Sequence, residues 1–360
     1  MSQGSTNYTN SPGSNADQAE ITYGFVAPDW KDLDEILIYP TVPILFFSLL
    51  GIITNMINIL VFVKMGIRDT TTVSMLALAV SDFLCCSLSL WTYLCFTPAF
   101  RDLPNLSFRP TEVAIETGTN FRPYMTRTGA LITAFITLER CLCVVRPMKV
   151  RNIITLKMTR ITIVVVYAVT ILPFVAHPLH TTLGWKFDPD LNKTLLGAVR
   201  INLPISAILI QINAILCGFI YLLLASIIIV VCTLFLVISL VRSSRWRDAV
   251  RNQTQAPHGK TLDLNSNRPS KEIRLIKIVV AIALLFIICH LPGTIVIFIF
   301  PVTLNYIEQG RFYQSSILLQ GFLFAFEVVN NSVNFFIYYS MGTKFRVVFR
   351  QLLGLKETKT

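Results

Sequence analysis

A chain of 360 residues, 53% hydrophobic and 14% charged, with a mean hydropathy of +0.62, has too little charge to coat its apolar surface as a soluble domain would. Its net charge of +11 does not mark a nucleic-acid-binding face, because the basic residues flank apolar runs and no basic-aromatic module accompanies them. The bilayer is the remaining solvent.

Residues 1–39 are rich in Ser, Asn, Thr and Gly, and set Asp17, Glu20, Asp29, Asp32, Asp34 and Glu35 against Lys31. They lack the apolar core of a cleavable signal, so they read as a disordered tail, with the first span as its own signal anchor. Seven apolar runs follow, at roughly 40–64, 72–97, 113–146, 157–179, 205–241, 271–300 and 314–340. Each offers the ~20 residues that a transmembrane helix needs. The prediction is an all-α membrane protein: a tail at 1–39, a seven-transmembrane helix bundle at 40–341, and a short amphipathic eighth helix with a brief tail at 342–360. No room is left for a second folded domain.

Lys149, Arg151, Lys157 and Arg160 follow span 3 without an acid, and Arg242, Arg245, Arg247, Arg251, Lys260, Arg268 and Lys271 follow span 5. Lys344, Arg346 and Arg350 follow span 7. Bases near span ends mark the cytoplasmic side, which puts the N-terminus outside and the C-terminus inside a plasma membrane. The sequons at Asn7 and Asn192 then face outward as glycosylation candidates. Asn105 heads a third, closer to the membrane, while Asn252 falls on the inner side. The cysteines sit mostly within spans, without metal-ligand spacing to His, and read as packing residues.

The sharpest signal is polar residues stranded in apolar runs: Asn55, Asp82, Glu139 with Arg140, His290 two residues before Pro292, and Asn334 with Tyr338. Such groups are expensive in hydrocarbon and point to function. They fall in a different run each time. Span 2 reads Leu76-Ala77-Leu78-Ala79-Val80-Ser81-Asp82, span 3 ends Glu139-Arg140-Cys141 with Pro147 following, span 6 holds Cys289-His290-Leu291-Pro292, and span 7 holds Asn334-Phe335-Phe336-Ile337-Tyr338. Lys344-Phe345-Arg346 and Phe349-Arg350 come after. In this order the set resembles the rhodopsin-like (class A) G-protein-coupled receptors, over about 42–353. The phrase Ile132 to Cys143, Gly184-Trp185-Lys186-Phe187-Asp188-Pro189, and Phe62 to Gly66 also resemble a group of chemosensory receptors described in gastropods. A neuropeptide receptor is the nearest alternative.

The resemblance implies roles. Arg140 would pair with Glu139 and with Glu272 at the start of span 6, a latch that an outer ligand releases. Pro292 would kink span 6 as its pivot, and Asn334 and Tyr338, a turn apart, would complete the switch. Asp82, with Asn55, Asn330, Asn331 and Asn334 converging on it through water, would hold an allosteric Na⁺, although Gly129 stands where the family has a Ser oxygen. A heterotrimeric G protein would lay its C-terminal helix beside Arg140, Val144, Val145, Pro147 and Met148. Phe345 and Phe349, with Arg346 and Arg350, would hold the eighth helix on the lipid surface. His290 replaces a Trp and reads as a neutral, hydrogen-bonded imidazole, with pH-modulated activation as the alternative. Phe335 replaces a Pro and would stiffen span 7. The disulfide that ties span 3 to the following outer loop is missing: Ile115 holds the span 3 position and 177–204 contains no Cys. That loop is expected to lack this tether, and to fold over the pocket through Trp185, Phe187 and Pro189.

Arg122 lies about five turns above Arg140, where amine receptors carry an acid, and so argues against a cationic agonist. Its fork suits a carboxylate or phosphate. Arg122 and Arg127 are therefore candidates for an acidic small molecule or peptide, with Glu327 and His290 completing the pocket. A purely internal Arg122–Glu327 pair has equal standing. A transporter is the rival from another class, but no internal repeat is visible. An enzyme is not indicated: His177 and His180 lack a third ligand at metal spacing, and no nucleophile–base pair appears.

Overall fold

The computed structural model describes residues 30–146, 154–189, 191–201, 203–254, 267–307 and 313–355. Span 1 is the helix Trp30–Met65, which begins inside the segment read as tail and runs through Pro40 and Pro43. It stops at Gly66, whose φ of 88° suits a residue without a Cβ. Span 2, Thr70–Phe96, starts almost at once, because the Asp69 carboxylate caps it by accepting the Thr72 N–H at 2.7 Å. Arg160 of span 4 donates to the Ile67 carbonyl at 3.0 Å and pins this connection.

Span 3 begins at Pro110–Ala114, widens into a π-turn over Ile115–Thr119, and resumes as Arg122–Val145. The restart has a local cause: Pro123 has no N–H to give, and a first helical turn needs none. Span 4, Leu156–Ile171, is capped by the Thr155 hydroxyl and tightens into a 3₁₀ turn, Leu172–Ala176, at Pro173. Span 5 is Pro204–Ile215, a π-turn at Leu216–Ile220, and Tyr221–Thr254. Span 6 is Asn267–Ile307, span 7 is Tyr313–Met341, and the eighth helix is Thr343–Leu352.

Among the described residues, six helices are long and apolar enough to cross a membrane. Span 7 is the more polar seventh, carrying Glu327, Asn330, Asn331 and Asn334. Span 1 packs on spans 2 and 7, span 2 on span 3, span 3 on spans 4, 5 and 6, and span 6 on span 7, which closes the ring. Val61, Ile132, Ile136, Leu236 and Val279 fill its centre from four helices. Val164, Leu172 and Ile288 stay exposed on the rim, as lipid-facing positions should.

The helical bundle carries one short two-stranded addition. Strands β1, Thr181–Asp188, and β2, Lys193–Arg200, pair antiparallel from Thr181↔Arg200 to Asp188↔Lys193, between spans 4 and 5. β-branched and aromatic residues favour the pleat there. Asn192 turns the chain with φ 48°, a conformation that Asn tolerates. Trp185 and Phe187 are 65% and 61% exposed on this hairpin, so they do not close over a pocket as expected.

Spans 1, 2 and 7 meet closely at Gly51. A Cβ there would run into the Cys86 Sγ and come within 3.2 Å of the Ser332 Cβ. Gly51→Ala should cost about 1–3 kcal/mol of stability through overpacking. Thermal unfolding in detergent should show the loss, and adding Cys86→Ala should recover most of it.

Candidate functional site

Three layers of polar side chains lie along span 3, between the hairpin end of the bundle and the end that carries the eighth helix. In the layer nearest the hairpin, the Arg122 Nη1 meets the Glu327 Oε2 at 2.8 Å, with the two side chains 5% and 11% exposed. The Arg122 Cζ stands 4.1 Å over the Phe324 ring. Arg127 turns its Nη1 to the Pro123 carbonyl at 3.0 Å and lies within electrostatic range of Glu327, as does His290. The His290 ring stacks on Phe286 at 4.4 Å and 17°. Its Nδ1 is buried with no protein partner, so the hydrogen-bonded imidazole expected from sequence is not what forms at that nitrogen.

Sequence reasoning missed the far wall of this layer. Asn213 of span 5 donates to the Tyr124 hydroxyl and to the Pro173 carbonyl. Phe121, Tyr124, Phe174 and His177 pack edge-on or stacked around them. The signal was available: Asn213 is an amide inside an apolar run, as Asn55 is.

The middle layer centres on Asp82, whose Oδ2 accepts from the Asn334 Nδ2 at 2.9 Å. Asn55 does not reach it. It donates to the carbonyls of Gly51 and Asn331, at 2.9 and 2.7 Å, and so stitches span 1 to span 7. Asn330 donates to the Asn331 side chain at 3.2 Å. A Cβ on Gly129 would sit 3.4 Å from the Ser81 Oγ and 3.5 Å from the Asp82 Oδ1. The Asn334 Oδ1 is buried with no protein partner. A carboxylate beside an unmet amide oxygen is the hard donor set that a small cation prefers, so these residues fit Na⁺ even though Gly129 contributes no oxygen.

In the layer nearest the eighth helix, the Arg140 Nη2 donates to the Glu139 Oε1 at 2.8 Å and also to the Thr71 hydroxyl. Thr70 donates to the same Glu139 oxygen at 2.5 Å. Span 2 therefore holds the pair with two threonines that the sequence did not single out, Thr71 on the arginine and Thr70 on the carboxylate. Their signal was the Thr70-Thr71-Thr72 run after the Asp69 cap. The Glu272 side chain and Pro147 lie outside the described residues, so the pairing of Arg140 with span 6 is not described. Pro292 lies within the continuous span 6 helix. Tyr338 packs its ring on Phe62 and Phe345 at 5.2 and 5.7 Å.

Phe345 corrects a second expectation: it is 3% exposed, turned into the bundle rather than toward lipid. Beside it a cavity of about 590 Å³ opens among Phe62, Thr71, Arg274, Ile278, Tyr338 and Phe345. Asn192 is exposed on the hairpin turn, while Asn7 lies outside the described residues.

A family model described as 7 transmembrane receptor (rhodopsin family) matches residues 54–338, well over half of the chain. Among curated proteins none matches.

The Arg122–Glu327 pair can be tested by itself. Breaking a buried pair from one side costs about 3–5 kcal/mol, whereas replacing both partners with apolar groups is close to neutral. Glu327→Leu should lower the unfolding temperature markedly, and Arg122→Met with Glu327→Leu should restore most of it.

Proposed function

The chain belongs to the rhodopsin family of seven-transmembrane receptors, and from that premise we propose that it couples an acidic extracellular ligand to a heterotrimeric G protein. It is a multi-pass membrane receptor and not an enzyme. The ligand is a small chemosensory molecule or a peptide. The observation that supports an acidic group is the buried layer of Arg122, Arg127 and His290 around a single carboxylate, Glu327. Glu327 takes one donor of the Arg122 fork, so an incoming carboxylate or phosphate can share the guanidinium without displacing it. An ammonium group would meet two guanidiniums instead.

At the other end, the switch is Arg140 with Glu139. Thr71 of span 2 and the Glu139 carboxylate, itself held by Thr70, keep the guanidinium sideways. Releasing it presents a cation to the C-terminal helix of the G protein, at the cavity beside Tyr338 and Phe345. Glu272 and Pro292 on span 6, Pro147 after span 3, and Asn334 with Tyr338 on span 7 belong to the same movement. Asp82 and Asn334 would hold Na⁺, a charge that holds the resting arrangement together. The N-terminus is outside and the C-terminus in the cytoplasm of a plasma-membrane protein. The exposed Asn192 sequon on the hairpin turn supports that orientation.

Ligand-stimulated nucleotide exchange on a G protein, measured in membranes across a panel of acidic metabolites and peptides, tests the proposal. Arg122→Glu should abolish the response to an acidic agonist, and pairing it with Glu327→Arg should restore folding. An unchanged dose–response curve in a folded Arg122→Glu receptor would remove the acidic ligand. Separately, Glu139→Gln should raise basal exchange severalfold, since losing a charge-assisted bond of about 1.5–3 kcal/mol frees Arg140.

A further inference from the structure

The hairpin between spans 4 and 5 is held without a covalent link. Neither 98–140 nor 177–204 contains a cysteine, and the nearby Cys95 is a free thiol. The chain uses charge instead. Arg109, the residue before the first turn of span 3, extends Nη1 to the Glu112 Oε1 at 2.8 Å and Nη2 to the Asp188 Oδ2 at 2.7 Å. One planar fork thus bridges a carboxylate of span 3 and a carboxylate at the end of β1. The second Glu112 oxygen accepts the Ala198 N–H of β2 at 2.7 Å, and the Lys186 Nζ stands 4.0 Å from it. Backbone bonds complete the contact: Arg109 N–H to the Leu196 carbonyl at 2.9 Å, and Leu196 N–H to the Ser107 carbonyl at 3.0 Å. Gly197 permits the approach, because a Cβ there would run into the Glu112 Oε2.

We propose that Arg109, with Glu112 and Asp188, is the positioning residue that docks the β1–β2 hairpin on the head of span 3, an ionic clasp where a cross-link would otherwise serve. The loop that was expected to lack a disulfide tether is held by other chemistry. Asp188 is buried while the Arg109 side chain is 41% exposed. The clasp is accordingly open to screening by salt from the Arg109 side and indifferent to thiol reductants. Glu112 and Arg122 lie on the same span, so the clasp also fixes the hairpin relative to the segment that carries the Arg122 layer.

Hydrogen exchange on the full-length receptor in lipid nanodiscs reads this directly. The N–H groups of Leu196 and Ala198 point away from β1, to Ser107 and Glu112, so they report docking. The amides that pair β1 with β2 report the hairpin itself. Arg109→Ala should speed exchange at Leu196 and Ala198 by roughly ten- to a hundredfold, the loss expected for charged hydrogen bonds, and leave the hairpin amides protected. Gly197→Ala, which alters no charge, should do the same by prising β2 from Glu112. If Arg109→Ala fails to fold, Arg109→Lys keeps the charge without the fork and should still raise exchange at both amides. Exchanging the charges, Arg109→Asp with Asp188→Arg, should restore protection. Unchanged exchange at Leu196 and Ala198 in the Arg109 variants, or undocking of the parent hairpin by a thiol reductant, would overturn the clasp.

Discussion

A polar group in hydrocarbon has no water to turn to, so a partner inside the protein is worth more there than at a wet surface. That constraint organises the bundle. Isolated hydroxyls turn back on their own helices, as Ser87 does to Phe83, Ser89 to Cys85 and Thr137 to Thr133. Longer side chains reach across. Asn55 ties span 1 to span 7, Asp82 ties span 2 to span 7, Arg122 ties span 3 to span 7, and Arg140 ties span 3 to span 2. Span 7 takes part in three of these four ties, which accounts for its load of Glu327, Asn330, Asn331 and Asn334. Apolar packing alone cannot orient one helix in lipid against another, since lipid offers much the same contact. The polar ties set which face of each span looks inward.

The same constraint explains what could be read from sequence. A charge or amide inside an apolar run is visible without coordinates; Asn55, Asp82, Arg122, Glu327 and Asn334 are buried and engaged, and Arg140 is engaged though partly exposed. Their partners were harder to foresee. Periodicity says which residues turn inward, not which neighbour each meets. Arg140 was expected to face acids, and it also found Thr71 on span 2. Asn55 was expected to approach Asp82, and it bonded backbone carbonyls instead. The hairpin was hidden for another reason. Its outer edge is met by Glu112 and Arg109 from the head of span 3, contacts 79 and 86 residues apart in the chain. The π-turns in spans 3 and 5 have no sequence mark beyond nearby Pro123 and an otherwise apolar stretch.

The two ends of the bundle are held by different physics. At the hairpin end the contacts are ionic and partly exposed, so their strength depends on charge state and salt. At the eighth helix they are mainly aromatic. Phe62, Tyr338 and Phe345 lie within 5.2–5.7 Å of one another, and Phe335 adds edge contacts to Phe345 and Phe349 at 5.9 and 5.4 Å. Phe335 stands where related receptors have a proline. The substitution does two things together: it keeps a backbone N–H in the span 7 ladder, and it supplies the ring that meets the eighth helix. A close-packed interior transmits displacement instead of absorbing it. Span 7, the eighth helix and the inner end of span 1 are thus joined by rings, while Arg140 beside them is held by polar contacts with Thr71 and Glu139.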